Sequence, residues 1–166
     1  RDLPPSDALS ILKNGPGSFR GRKLGILTTD GAAADVIAAI EQKAAQEGVA
    51  CEFIAPRTGF ITLSDGSSRK VNDKVDGGPS VLYDAVVIAP AQECIAELEA
   101  MPPAVEFVMN AFNHKKFVGF TADAKPLFDA AGLAKKLDKG CMALSDDSSV
   151  ADFVRECGAL RFWARP

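Results

Sequence analysis

Short apolar runs separated by amphipathic stretches form the main pattern of this chain. The run YDAVVIAPA, from Tyr83 to Ala91, consists of small and β-branched residues and is closed by Pro90. Because it is too short for a free-standing helix and has no polar face, it predicts a strand at Ala85–Ala89 that is buried on both sides. Similar runs predict four further strands, at Lys23–Thr28, Cys51–Ala55, Phe117–Phe120 and Cys141–Leu144.

Between the predicted strands, apolar residues recur at helical spacing. This spacing predicts a helix over Ala33–Gln46, which Gly48 ends. Pro102 and Pro103 suit the first turn of a second helix that runs to about His114. Two more helices are expected, a short one around Leu127 that Gly132 ends and a last one that Ser148 or Ser149 caps.

Residues 60–71 interrupt this alternation of strands and helices. Two short strands, Phe60–Leu63 and Arg69–Val71, flank an Asp-Gly pair that favours a tight hairpin turn. The alternation elsewhere predicts an α/β fold, a three-layer, doubly wound parallel sheet of five strands with the flavodoxin-like order 2-1-3-4-5 and the hairpin inserted. Prolines and glycines in residues 1–21 predict an interdomain linker whose apolar residues lie against a surface, so residues 22–166 are expected to form the domain.

Composition argues against several classes of partner. A formal charge of −3, with both signs interspersed, provides no field that would attract nucleic acid or an anionic membrane. The sequence has no apolar window of transmembrane length and no signal-peptide pattern at its start. Because it begins with Arg1 rather than Met, we expect a processed or excised product, and its compartment, cytoplasmic or secreted, stays open.

The cysteines and the single histidine do not form a metal-binding pattern. Cys51, Cys94, Cys141 and Cys157 lack the spacing of metal ligands, and His114 is near none of them in the sequence. All but Cys94 fall on apolar faces of predicted elements, where cysteine is usually buried. Cys94 follows the central strand near a possible helix start, where a thiol can be acidified, so it is the candidate reactive thiol.

In a doubly wound sheet, three turns of this chain would meet at the carboxyl ends of the strands. They are Thr28–Gly31, Ala91–Cys94 and Thr121–Asp123. A phosphate or flavin would need glycine-rich backbone donors at the first turn, where Asp30 would repel it. The sequence contains no dinucleotide or nucleoside-triphosphate motif. We therefore expect no cofactor-binding residue in this chain.

The third turn has the layout of a nucleophile elbow, in which a sharp turn between a strand and a helix presents a Ser or Cys. Its tip would be Thr121, Ala122 or Asp123. Thr121 has no neighbouring base in the sequence, and His114 is expected at the opposite end of the sheet. We therefore predict that the elbow is vacant and that the chain has no catalytic residue.

Four segments carry a resemblance to a known family, namely GRKLGILTTDG, GVACEFIAPRTGFITLSDGS, PSVLYDAVVIAP and ALRFWARP. Over about Gly21–Pro166 they resemble the C-terminal domain of the large-subunit haem catalases, and Arg57-Thr58-Gly59 followed by Asp65-Gly66 is the most specific part. That domain is similar in fold to the class I glutamine amidotransferases and the PfpI-type proteases.

The resemblance also implies where functional groups belong. In the amidotransferase and protease relatives, a Cys occupies the elbow and a carboxylate comes from the first strand–helix turn. Those positions fall on Ala122 and among Ala32–Ala34 here, so both roles are vacant. Haem and its ligands would lie in the core of a parent homotetramer, which is the implied partner, and we expect neither His114 nor Tyr83 to bind iron.

Three hypotheses for function follow. The leading one is a non-catalytic accessory domain that stabilises a large-subunit catalase, whose core disproportionates hydrogen peroxide in defence against oxidative stress; this chain alone would then not be an enzyme. An alternative is ATP-independent, chaperone-like binding of unfolded client proteins. The third is a thiol hydrolase that uses Cys94.

Overall fold

A six-stranded parallel sheet lies at the centre of the computed structural model, which describes residues 3–166. The strands are β1 (Lys23–Thr28), β2 (Ala50–Ala55), β3 (Phe60–Thr62), β4 (Ser68–Lys70), β5 (Asp73–Lys74), β6 (Ala85–Ala89), β7 (Val118–Phe120) and β8 (Cys141–Ala143). The sheet order is β5-β2-β1-β6-β7-β8, and β3 pairs with β4 as a separate antiparallel hairpin. The predicted order 2-1-3-4-5 is therefore confirmed for β2, β1, β6, β7 and β8.

The sixth strand, β5, was not expected in a segment that reads as irregular. It is two residues long and continues the sheet beyond β2, with Asp73 opposite Ile54. Asn72 aligns it, because its side-chain oxygen accepts a hydrogen bond from the Phe53 N–H (2.8 Å) and its own N–H donates to the Phe53 carbonyl (2.8 Å). One polar side chain therefore sets this strand in place, and no apolar run marks it.

Helices cover both faces of the sheet and give the three layers that the pattern predicts. They are α1 (Ala34–Glu47), α2 (Ile95–Glu99), α3 (Pro102–Asn113), α4 (Lys125–Ala130) and α5 (Asp147–Glu156). One apolar core joins α1 and α5 to the sheet through residues such as Ile40 and Phe153. The other core joins α3 and α4 to the opposite face through Phe107 and Phe128. Apolar burial on both faces accounts for the β-branched composition of β6.

The predicted cap of the last helix was wrong. Asp146 caps α5, and its carboxylate accepts a hydrogen bond from the Ser149 N–H (2.8 Å). The Ser149 hydroxyl oxygen in turn accepts from the Asp146 N–H (3.1 Å), which completes a capping box. Ser149 is therefore the third residue of the helix, and Ser148 is the second.

Near each end of the described chain, one buried side chain joins that end to the domain. In the predicted linker, Phe19 is buried in the core next to α1, and the Gly21 N–H donates to the Gly48 carbonyl (3.0 Å). The apolar residues that precede it, including Leu9 and Leu12, are exposed on this domain. At the other end Arg165 is buried. The N-terminal segment thus enters the fold at Phe19.

Candidate functional site

The three turns that were expected to converge do lie at one edge of the sheet. In the register of the parallel strands, Thr28 is opposite Ala89 and Ile88 is opposite Phe120, so β1, β6 and β7 end side by side. The first two turns are joined directly, because the Ala91 N–H donates to the Thr29 hydroxyl oxygen (2.8 Å). This edge is the usual ligand site of an open parallel sheet.

An open cavity of about 450 Å³ lies at this edge. The turns after β1, β2 and β6 line it, together with the start of the hairpin, through residues that include Asp30, Arg57, Phe60, Cys94 and Glu97. Arg57 and Glu97 approach each other at 3.7 Å on its rim, and both side chains are well exposed. Water screens such an exposed ion pair, so it contributes little to the stability of the fold.

The turn at Thr121–Asp123 does not have the backbone of a nucleophile elbow. Thr121 has φ −81° and ψ 163°, which is ordinary extended backbone, and Ala122–Ala124 forms a single 3-10 turn. Among residues 3–166, the non-glycine residues with positive φ are Lys115 and Leu160, so the strain typical of an elbow lies elsewhere. The Thr121 hydroxyl is buried and has no hydrogen-bond partner among the described residues. It is therefore withheld from solvent.

The hairpin of β3 and β4 closes over the first turn. The Thr62 N–H donates to Asp30 Oδ1 (2.7 Å), and the Ala34 N–H at the start of α1 donates to the Ser64 hydroxyl oxygen (3.0 Å). The Ser64 hydroxyl thus accepts from an N–H at the start of α1, the kind of donor that a phosphate would use at a helix N-terminus. Of the positions Ala32–Ala34, where the resemblance implies an acid, Ala32 and Ala34 are buried.

The four cysteines differ in their surroundings. Burial raises the pKa of the Cys51 thiol to about 12, and it also raises the pKa values of Cys141 and Cys157. Cys157 is buried as predicted, whereas Cys51 and Cys141 are half-buried. Thiols with raised pKa values carry little thiolate and react slowly. Cys94 is half-buried immediately before α2, with its Sγ 3.6 Å from the Asp30 carbonyl oxygen, and its reactivity stays a prediction.

The surroundings of Tyr83 and His114 bear on whether either residue could bind a haem iron. Tyr83 is buried with its ring against Gly25, and its hydroxyl lies 3.3 Å from Asp73 Oδ2. Burial first and the Asp73 charge second raise the pKa of Tyr83, which opposes the phenolate that would bind iron. His114 is exposed directly after α3, at the edge of the sheet opposite the cavity.

Residues 3–166 contain neither a metal-binding cluster nor a membrane-spanning helix. The His, Cys, Asp and Glu side chains there form no group of three or more that could hold a metal ion. In the same residues, no helix has the length and apolar character needed to cross a membrane.

A known protein family matches nearly the whole chain. The family described as the C-terminal domain found in long catalases matches residues 20–166. The chain belongs to this family. This long-catalase C-terminal domain is 47% identical over 165 residues to Catalase C of Rhizobium meliloti, an alignment that covers 99% of this chain and 23% of that protein. It is 31% identical over 162 residues to Catalase HPII of Pseudomonas aeruginosa, covering 97% of this chain and 23% of that protein.

These matches confirm the resemblance read from the sequence, and the chain spans about a quarter of the length of these curated relatives. Solved structures show the fold. Oxidized DJ-1 of Toxoplasma gondii matches with a TM-score of 0.65 at 11% identity, over 81% of this chain and 87% of that one. A mutant of a DJ-1 superfamily protein from Salmonella typhimurium matches with a TM-score of 0.67 at 17% identity, over 83% and 89%. The long-catalase C-terminal domain thus has the DJ-1/PfpI-like fold.

Sequence reasoning missed two buried cations at the opposite edge of the long-catalase C-terminal domain. The Lys116 ammonium donates to the carbonyl oxygens of Ser80 and Tyr83, and burial lowers its pKa to about 8. Arg165 makes a two-pronged ion pair with Asp138, at 2.7 and 2.9 Å. A lysine pair before a strand and an arginine near the end of the sequence are typical of exposed charge, so no local signal distinguished them.

Proposed function

We propose that this chain is a non-catalytic accessory domain of a large-subunit haem catalase and that it stabilises the parent protein. In this proposal the parent disproportionates hydrogen peroxide at a haem in its own core, as a homotetramer, and this domain packs against that core. Membership of the long-catalase family over residues 20–166 supports the proposal.

The relaxed turn at Thr121–Asp123 carries the non-catalytic part of the proposal. A nucleophile elbow works because a strained turn exposes its side chain to substrate and to backbone donors. Here the backbone at Thr121 is extended and its hydroxyl is buried. The first turn, which would supply a carboxylate, is bonded to the hairpin instead. Asp30 accepts a hydrogen bond from the hairpin, and Ser64 of the hairpin accepts one from the start of α1. These contacts support a structural role for the first and third turns at this edge of the sheet.

The test removes residues 17–166 from the longer protein that carries this domain. Peroxide turnover per haem at 25 °C is expected to stay within about twofold of the full-length value, because the domain supplies no group to the reaction. The rate of heat inactivation is expected to rise about tenfold, which corresponds to about 1.4 kcal/mol of lost stabilisation. The matched control is full-length protein with Cys94→Ser, which should change neither quantity.

Two results would contradict the proposal. A loss of turnover per haem of more than about tenfold in the truncated protein, with its Soret band intact, would assign the domain a part in catalysis. An unchanged inactivation rate would remove the stabilising role.

A second candidate function is ATP-independent binding of unfolded chains, and the exposed apolar side chains of Leu9, Ile11 and Leu12 favour it. If the isolated domain has this activity, an equimolar amount should slow the light scattering of a heat-labile client relative to an inert protein of similar size. Identical scattering curves would eliminate this candidate.

A further inference from the structure

A shallow groove of about 240 Å³ lies where the N-terminal segment meets the C-terminal tail. We name it the junction groove, and it is lined by Ile11, Pro16, Leu160 and Trp163 among others. Ile11 is 59% exposed and Trp163 is 43% exposed. The charged residue in its lining, Arg161, donates through Nη1 to the carbonyl oxygens of Asp84 and Leu160. The groove is therefore mainly apolar, and the Arg161 guanidinium is engaged by backbone carbonyl groups of the domain.

The segment that precedes the groove is held in place by its own polar contacts but leaves its leucines uncovered. The Asn14 side-chain amide donates to the carbonyl oxygens of Asp7 (2.7 Å) and Ser10 (3.1 Å). Leu9 and Leu12 nevertheless point outward, with exposed fractions of 87% and 67%. They flank Ile11 in the sequence, and Ile11 lines the groove. The same segment therefore adds exposed apolar side chains to those of the groove, and clusters of such side chains typically mark an interaction site.

Resting on the proposed function, we propose that the junction groove and the leucines beside it dock onto the catalytic core of the same long catalase. The family is the C-terminal domain of long catalases, and about three-quarters of the length of Catalase C lies outside the aligned region. The match begins at residue 20, directly after this apolar segment. A core that joins the domain from this side meets the junction groove first.

The covalent connection to the core favours the core over other occupants of the groove. A partner joined through a short flexible linker is present at an effective concentration of about a millimolar, which exceeds that of most free proteins. A second copy of the chain would have to reach the same groove without that advantage. The preceding core is therefore the occupant, and its contacting side chains are expected to be apolar because the groove offers them few free polar groups.

Radical footprinting tests this docking directly. Hydroxyl radicals from X-ray radiolysis are applied to the 166-residue chain and to the longer protein, and the modification rate of each side chain is read by mass spectrometry. The rate at Trp163, the single tryptophan of this chain, should fall at least about fivefold in the longer protein, as for a side chain in an interface core. Phe60 is the control, because it is 71% exposed at the opposite edge of the sheet and should be modified equally in both proteins.

A second measurement uses substitutions in the longer protein. Ile11→Ser and Trp163→Ser should release the domain and speed proteolytic cleavage within residues 3–18 by about tenfold, whereas Phe60→Ser should not. In the 166-residue chain, Ile11→Ser should leave the unfolding midpoint nearly unchanged, because that side chain is 59% exposed there.

The outcomes separate this inference from the proposed function. If the longer protein turns over peroxide but Trp163 is modified as fast as in the 166-residue chain, the docking surface is wrong and the proposed function stands. If the longer protein binds no haem and consumes no peroxide, both fail. If the 166-residue chain sediments as a dimer with Trp163 already protected, the occupant is a second copy and the inference is overturned.

Discussion

Gly25 lies in β1 directly against the ring of Tyr83. A Cβ built on Gly25 would lie 2.5 Å from Tyr83 Cγ and Cδ2, whereas carbon atoms in contact are about 3.5–4.0 Å apart. The ring would have to move by about 1 Å, yet it is 2% exposed and packs against Phe107 with 6.2 Å between ring centroids. We therefore predict that Gly25→Ala lowers the free energy of unfolding by about 1–3 kcal/mol, the usual range for an overpacked core.

Urea and thermal unfolding followed by far-UV circular dichroism measure this effect. In a domain of this size 1 kcal/mol moves the thermal midpoint by about 2–4 °C, so a fall of about 2–12 °C is expected. Gly77→Ala is the matched control, because a Cβ there would lie 3.6 Å from the Lys74 carbonyl oxygen, an ordinary contact. Tyr83→Leu combined with Gly25→Ala should destabilise less than the sum of the two single changes. Equal midpoints for Gly25→Ala and Gly77→Ala would refute the reasoning.

Three further predictions concern titratable and charged groups. Arg165→Met should lower stability by about 3–5 kcal/mol because it leaves Asp138 without its partner, whereas the exposed Arg155→Met should change it by less than about 0.5 kcal/mol; denaturant curves compare the two. Burial is the largest single influence on Asp138 and opposes its ionisation, but the hydrogen bonds from Arg165 and the Gly140 N–H together with the Arg165 charge lower its pKa, so this contribution should be present at neutral pH and lost as the pH falls below about 4. Burial lowers the pKa of Lys116 from 10.5 to about 8, so the native chain releases this proton before the unfolded chain does. Unfolding curves should therefore show the chain gaining stability relative to Lys116→Met between pH 8 and pH 10.5, and a flat difference would mean that the ammonium persists. Ellman's reagent at about pH 8 should label one thiol per native chain rapidly and none in Cys94→Ser, since burial raises the pKa values of the other three thiols; equal rates at all four would contradict this.

The apolar pattern predicted the sheet well because burial on both faces leaves a continuous signal. The bounds of β1 at Lys23–Thr28 and of β6 at Ala85–Ala89 coincide with the predicted ones. The strand order followed from the number of visible strands and the alternation with helices. In these elements the local composition and the buried environment favour the same structure, so the sequence alone is enough to predict the strand.

The prediction missed features that depend on one polar side chain reaching a distant backbone group. Asn72 sets β5 through Phe53, and Thr62 in the hairpin binds Asp30 across 32 positions of sequence. Arg165 is read as surface charge until the fold places it beside Asp138. The candidate site shows the same division. Its three converging turns and the inserted hairpin could be predicted from the sequence, whereas the packing of that hairpin over the first turn could not.

The extended backbone after β7 limits how far a single substitution can take this domain toward catalysis. A nucleophile is presented by the path of the chain, and that path is extended at Thr121 and 3-10 helical from Ala122 onward. A cysteine introduced at Thr121 or Ala122 would have the same backbone path. At Thr121 its side chain would be buried, and at Ala122 it would lie on a 3-10 turn that lacks the strained geometry of an elbow. The segment between Phe120 and Lys125 would have to be rebuilt before chemistry there could be selected. A catalytic residue at this turn would therefore require a new backbone path in addition to a new side chain.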